Sequence, residues 1–174
     1  MTIAEFVQQS LGSWRSLRSV HHLAFSYLEE VKSEIEIISL NTDDPEVINL
    51  CKEHNIDPDL VQSPFRMTWE GESDWDVKEE LKGTTVLVPL PDPQNPDQGR
   101  LLRDRGYAET MPAIANYEIQ NDGTFVLTTN YDRASAEEKI WFINPKLRFR
   151  VSMIKTSDGK GVTTASFSSE IKYD

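Results

Sequence analysis

The chain is 174 residues long, enough for one domain with a sizeable core. It carries 29 Asp and Glu against 18 Lys and Arg, a formal net charge of -11, which argues against a duplex-wrapping protein, because phosphate binding needs a basic surplus. Its single cysteine excludes an internal disulfide framework and a thiolate metal cluster, and with no secretory leader and no run of ~20 apolar residues it predicts an intracellular, cytoplasmic protein without a membrane span.

Ile3, Phe6 and Val7 give residues 3–11 the spacing of a short helix that breaks at Gly12, after which Ser13 to Phe25 reads as a strand. Glu34 to Leu40 alternates Ile with Glu or Ser, a second strand. Asp44-Pro45 opens a second helix over about residues 44–54, with Asp as its cap and Pro in its first position. Val47, Leu50 and Cys51 share the inner side of that helix, which makes Cys51 a core residue and not a nucleophile. Strands then follow at Phe65 to Trp69, Trp75 to Lys78, Thr84 to Pro89, Arg100 to Arg105, Tyr107 to Gln120, Thr124 to Tyr131, Glu137 to Ile143, Leu147 to Ile154 and Val162 to Ile171. Asn121-Asp122-Gly123 and the Ser157-Asp158-Gly159 run are hairpin turns. The proline-rich stretch from Pro89 to Gly99 reads as a stiff surface loop, because proline cannot donate to a sheet ladder. About ten short sequential strands and two helices predict one all-β domain over residues 1–174, an up-and-down antiparallel barrel or a sandwich, with the barrel the form carried forward. A barrel of this size either fills its interior with side chains or holds one small ligand.

Gly12-Ser13-Trp14, after a short helix and at the start of the first strand, resembles the lipocalins, whose barrel such a Trp closes from below. Arg18, His21 and His22 lie on the same strand. Adjacent histidines point to opposite faces and make a poor pair for one metal ion. A single inward His could donate to an anionic ligand, move a proton near neutral pH, or simply pack. Met67, Trp69 and Trp75 offer flat or polarisable apolar surface, suited to a core or to a planar conjugated ligand. No Gly-x-Ser-x-Gly elbow, phosphate-binding Gly loop or His-Glu-x-x-His motif occurs.

The most informative segment is Glu138 to Ser152. With Asn144-Pro145-Lys146 as a turn, Ile143 faces Leu147 and Glu138 comes opposite Ser152, diagonal to Arg150. One face then carries Glu138, Ile140, Phe142, Arg148, Arg150 and Ser152. The other carries Lys139, Trp141, Ile143, Leu147, Phe149 and Val151. Plain alternation would send the second face to the core and leave Glu138 and the arginines as surface ion pairs, worth at most ~1 kcal/mol. The alternative turns the arginines inward to fix carboxylates, with Glu138 as proton donor or acceptor. Spacing alone leaves both orientations open.

In order along the chain, Gly12-Ser13-Trp14 with Arg18 and His21-His22, Trp69-Glu70-Gly71, Trp75-Asp76, Asn95 through Arg103, Gly106-Tyr107-Ala108-Glu109 and the late hairpin resemble the S-type phycobiliprotein (bilin) lyases. The resemblance spans nearly the whole chain. It implies a lipocalin-like barrel, close to that of the fatty-acid-binding proteins. The barrel would take an open-chain bilin, phycocyanobilin or phycoerythrobilin, as substrate, with no permanent cofactor and no metal. It would deliver the pigment as a thioether to a cysteine of an apo-phycobiliprotein α or β subunit in the cyanobacterial cytosol or an algal plastid stroma. On that resemblance Glu138, Arg148 and Arg150 are the catalytic candidates, and Arg18, His21, Met67, Trp69, Trp75 and Ser152 the bilin-binding ones. The attacking thiolate would come from the client. A bilin carrier without catalysis, or a partner subunit of a heteromeric lyase, fits the same pocket. The apolar hairpin face predicts a cover, either the N-terminal helix or a second copy in a homodimer, or a related subunit in a heterodimer.

Overall fold

The computed structural model describes residues 1–74, 80–104, 113–156, 158 and 160–174. Among them two α-helices, one turn of 3-10 helix (Pro58–Leu60) and ten strands occur, the α-helices and strands in the order α1 (Ile3–Ser10), β1 (Gly12–His22), β2 (Tyr27–Ser39), α2 (Pro45–Glu53), β3 (Phe65–Ser73), β4 (Glu80–Pro91), β5 (Gln98–Arg103), β6 (Ala113–Ile119), β7 (Phe125–Asn130), β8 (Ala134–Asn144), β9 (Leu147–Thr156) and β10 (Val162–Lys172). Each strand pairs antiparallel with its sequence neighbours, and β1 pairs with β10, so the sheet closes on itself. This is the expected up-and-down barrel. Closure leaves no edge for edge-to-edge aggregation. The expected strand at Trp75 to Lys78, the last residue of the one at Arg100 to Arg105 and the first part of the one at Tyr107 lie outside the described residues.

α1 plugs the lower end. Thr2 and Glu5 form a reciprocal capping box, and Ile3, Phe6 and Val7 are buried. Phe6 stacks on Phe125 with centroids 4.2 Å apart and meets Phe142 edge-on at 5.9 Å. Trp14 is fully buried beside them, and its Nε1 donates to the Ser10 carbonyl at 2.9 Å. The Trp therefore does close the barrel from below. Tyr117, packed in the same apolar floor, has its phenol pushed up to about 12, first by burial and then by Asp92 and Asp97. α2 lies outside, where Val47, Leu50 and Cys51 pack with Val86, Val88, Leu90 and Leu102 from the outer side of β4 and β5. Asp44 caps α2 through the Glu46 amide, and burial pushes the Cys51 thiol up, as befits a packed side chain.

Several strand boundaries differ from those read in the sequence: β1 ends at His22 and not at Phe25, β4, β5 and β8 start two to four residues early, and three further differences have a clear physical cause. β2 starts at Tyr27 instead of Glu34, because its inward residues there are Tyr27, Glu29, Val31 and Ser33, a wall too polar to show an apolar stripe. β3 extends to Ser73 for the same reason, with Gly71 and Ser73 facing in. β4 runs through Pro89 to Pro91, into the stretch that was expected as a loop. Beyond the Phe65↔Leu87 pair β4 has no β3 neighbour, so the missing amides leave no ladder bond broken, and the Pro89 carbonyl still accepts from the Gln62 amide.

Candidate functional site

Alternation assigns the interior. Above Trp14, β1 points Ser16, Arg18, Val20 and His22 inward; β2 adds Ser33, Val31 and Glu29, and β3 adds Met67, Trp69, Gly71 and Ser73. Glu138, Ile140 and Phe142 point in from β8, Arg148, Arg150 and Ser152 from β9, and Ser166, Ser168 and Glu170 from β10. The hairpin register is the one expected beyond the turn, with Glu138↔Ser152, Ile140↔Arg150 and Phe142↔Arg148. At the turn itself Asn144 pairs with Leu147, and the register shift between Phe142 and Asn144 leaves Ile143 as the extra residue, so Ile143 does not face Leu147 as expected. The charged face is the inner one. Glu138 is 6% exposed, Arg148 and Glu170 are 1% exposed, whereas Ile143 on the opposite face is 54% exposed.

These buried charges form two groups. In the first, Arg103 from β5 reaches across the interior and its Nη2 donates to Glu138 at 2.9 Å. Arg103 Nε is buried with no hydrogen-bond partner among the described residues. In the second, Arg148 Nε donates to Glu170 at 2.6 Å, and Arg150 Nε lies 3.5 Å from the other oxygen of the same carboxylate. Burial pushes Glu170 up, but Arg150 and Arg148, helped by Arg18, outweigh it and hold the carboxyl below the usual range. The Arg148 guanidinium lies over Trp14 at 4.3 Å, a cation–π contact in a desolvated setting. Arg148 is thus a floor residue committed to Glu170, not a group open to a ligand's carboxylate. Arg150, half-buried one strand step higher, is the arginine of the hairpin that faces the cavity.

Trp69 lies flat over Gly83 of β4: a Cβ at that position would collide with the indole ring. The glycine lets the ring settle against the wall with Met67 next to it on the same face. Near the upper end, Glu29 accepts from the Ser73 hydroxyl and sits 2.8 Å from His22 Nε2, and His22 stacks on Tyr27 at 4.3 Å. Burial pushes Glu29 up, but Ser73, His22 and Arg18 together hold it below its ordinary value.

Of the residues singled out in the sequence, Glu138, Arg18, Arg148, Arg150, Ser152, Met67 and Trp69 converge on the interior. His21 does not: it pairs with Leu28 and Ala165 on the outer side and is exposed, and its neighbour His22 is the histidine that points in. The parity of β1 is fixed by buried Trp14, eight residues before His22, which is the signal that could have chosen between the two. Trp75 lies outside the described residues. Sequence reasoning missed Arg103, Glu170 and Glu29, each of which is joined to its partner by a contact across strands. Among the described residues no cluster of His, Cys, Asp or Glu could hold a metal ion, and no helix is long and apolar enough to cross a membrane.

A family model described as CpeS-like protein matches residues 2–173. The chain belongs to that family. Chromophore lyase CpcS/CpeS 3 of Trichodesmium erythraeum is 58% identical over 172 residues, covering 99% of both chains. Phycocyanobilin lyase subunit CpcS of Picosynechococcus is 42% identical over 161 residues, 92% of this chain and 81% of its own. The structure of the S-type phycobiliprotein lyase CPES from Guillardia theta matches with a TM-score of 0.88 at 50% identity, over 100% of this chain and 94% of that one. The shared fold thus extends over the whole barrel, floor and hairpin of this CpeS-like protein.

Proposed function

We propose that this CpeS-like protein is a phycobiliprotein chromophore lyase, which holds an open-chain bilin inside the barrel and attaches it as a thioether to a cysteine of an apo-phycobiliprotein subunit. The observation that carries the reading is the buried Glu138–Arg103 pair at 2.9 Å, in a barrel interior that also presents the face of Trp69. A bilin has a flat conjugated body, a row of pyrrole nitrogens and two propionates. Trp69 and Met67 pack on the rings, while Glu138 meets the pyrrole N–H groups. Arg150 and Arg18 fix the acidic groups, and Ser152 adds a polar contact.

The reaction adds a thiol across the ethylidene double bond of the bilin. Protonating the pyrrole system withdraws electrons from that bond and makes its outer carbon more electrophilic. In this reading Glu138 exchanges this proton with the pyrrole nitrogens, and the Arg103 guanidinium balances its charge when it is ionised. The attacking sulfur comes from the client, so the chain needs no cysteine of its own, and Cys51 is packed beneath α2. Holding the bilin with one ring face presented to the client supplies the orientation part of catalysis.

Co-expression with bilin biosynthesis and an apo-phycobiliprotein subunit tests the reading. Pigment that survives acid-urea denaturation, formed only with this chain and with native stereochemistry, is the expected result. Glu138→Gln retains bilin binding and loses about 100-fold in transfer rate, within the range of a removed general acid. Tight bilin binding with no gain in covalent attachment would leave a carrier instead.

A second copy of the chain is the partner we infer for the outer wall of β8, β9 and β10. Neither helix covers that wall, contrary to one of the expectations for α1, which enters the barrel floor. Trp141 meets Phe149 at 5.8 Å and Phe149 meets Phe167 at 5.4 Å, a row of rings with Phe167 43% exposed. The charges of this wall are Lys139 and Lys155 against Glu137, one net positive on a chain of net -11, so two copies repel least when they meet here.

A further inference from the structure

Glu138, Arg150 and Arg18 account for binding and activating a bilin, but not for generating the nucleophile. A free cysteine thiol has a pKa of about 8.5, so at neutral pH only a few per cent is thiolate. The interior holds one further pair suited to proton transfer, at the end of the barrel away from the α1 floor. His22 and Tyr27 flank the β1–β2 turn as register partners, and Glu29 is two residues on from Tyr27 on the same inward face. The His22 and Glu29 side chains are 25% and 17% exposed, reachable from the mouth yet partly desolvated.

We propose that His22, held by Glu29, takes the proton from the client cysteine as its sulfur attacks the bilin. This rests on the bilin reading of the barrel given above. The geometry that supports it is a base and its orienting carboxylate. Glu29 sits 2.8 Å from His22 Nε2, and its other oxygen accepts from Ser73, so the carboxylate is fixed from two sides. Glu29 is held below its ordinary value and stays ionised at neutral pH. A carboxylate accepts only, so Nε2 carries the ring hydrogen and Nδ1 is the lone-pair nitrogen. Tyr27 stacked on the ring at 4.3 Å restricts its rotation. The groups that bear on His22 are Glu29 and Tyr27 from β2 and Arg18 from β1, with Ser73 from β3 and Thr164 opposite on β10 adding no charge. Beside the pair, Leu23 and Phe25 on the turn are 49% and 78% exposed, an apolar rim against which a client helix can rest.

The step balances without a co-reactant. The S–H proton passes to His22 Nδ1, and the sulfur bonds to the outer ethylidene carbon. The π pair of the double bond moves into the ring, and the ring carbon gains one proton. His22 returns its proton to solvent, so the sum is the addition of one thiol to one double bond, with neither oxidant nor reductant.

The test uses the full chain loaded with bilin, mixed with an apo-subunit, and follows single-turnover attachment from about pH 6 to about pH 10, on either side of a free thiol's pKa. His22→Gln is expected to bind bilin like the wild type, to lose about 100-fold in transfer at neutral pH, and to regain rate as pH passes about 8.5, where the client thiol ionises unaided. Glu29→Gln gives a smaller loss in the same direction. Free imidazole restores part of the rate of His22→Ala. A His22→Gln variant whose rate and pH profile match the wild type overturns the proposal. So does one that no longer binds bilin while its unfolding temperature is unchanged, because His22 would then hold the ligand and not the proton. Should the wild type itself bind no bilin, the reading of the barrel falls first, and that outcome is visible before any variant is made.

Discussion

The inner and outer faces of the β8–β9–β10 wall are made by alternating residues of the same three strands, yet their polarity is the reverse of an ordinary barrel. Inside lie Glu138, Arg148, Arg150, Ser152, Ser168 and Glu170; outside lie Trp141, Phe149, Val151 and Phe167. Burying charge costs several kcal/mol per ion unless it is paired and hydrogen-bonded. The apolar outer face gives up a burial worth ~25 cal/mol for each Å². A sequence selected for stability alone would carry neither feature. The contrast is understandable if the interior is completed by a polar, planar guest and the exterior by another protein surface. Below that wall the floor around Phe6, Trp14 and Phe125 obeys the ordinary rule, and there the barrel is closed by packed apolar side chains.

The sharpest way to break the contrast is to remove one member of a buried pair. Glu170→Ala leaves Arg148 and Arg150 without their shared carboxylate, and Arg148 is 1% exposed with no access to water. Losing one partner of such a pair destabilises by about 3–5 kcal/mol, read as a lower urea midpoint at unchanged slope. Replacing Glu34, whose pair with Arg15 is 62% and 69% exposed, should leave the midpoint where it was. An equal shift from both variants would mean that the inner charges are no more committed than the surface ones.

Acid should act on the buried carboxylates as well. Glu170 and Glu29 both have folded values held below the ordinary glutamate range, and the unfolded chain releases its glutamate protons at about 4.3. The unfolded state therefore binds more protons than the folded state over the interval between these values. Stability is fully present above about 4.3 and is lost as pH falls through the folded values, so the unfolding free energy should drop in that acid window. Glu170→Gln removes that part of the slope. A variant whose stability falls as steeply with acid as the wild type contradicts the assignment.

The up-and-down strand order, the Trp14 floor, the buried Cys51 and the register of the late hairpin beyond its turn were all legible, because each depends on local alternation, a turn or a cap. The orientation of the hairpin was not. Apolar side chains occur on both of its faces, so counting could assign partners but not decide which face met the interior. The inner ends of β2 and β3 escaped notice because Glu29, Ser33, Gly71 and Ser73 replace the apolar stripe that marks a strand. Arg103 and Glu170 were invisible for another reason. Their partners lie 35 and 22 residues away, and nothing local specifies a contact across a barrel. His21 was taken for His22 because adjacent identical residues carry no parity until one reference side chain is known to be buried.

A small change in stability, and the most direct probe of the outer face, is expected from Phe167→Lys. The side chain is 43% exposed, so the substitution stays near the ±0.5 kcal/mol typical of surface positions and does not reach the barrel interior. Its effect lies in association. A lysine placed between Phe149 and the turn-proximal end of β10 sets a desolvated cation in the contact between copies, opposite an identical cation if the contact is two-fold. Sedimentation should give a dimer for the wild type and a monomer for the variant, with bilin binding equal in the two. A wild type that sediments as a monomer removes the second copy from the outer wall. A variant dimer would move the contact elsewhere. Loss of bilin binding together with the dimer would mean that the two faces of the wall, separated here by one strand's thickness, do not act independently.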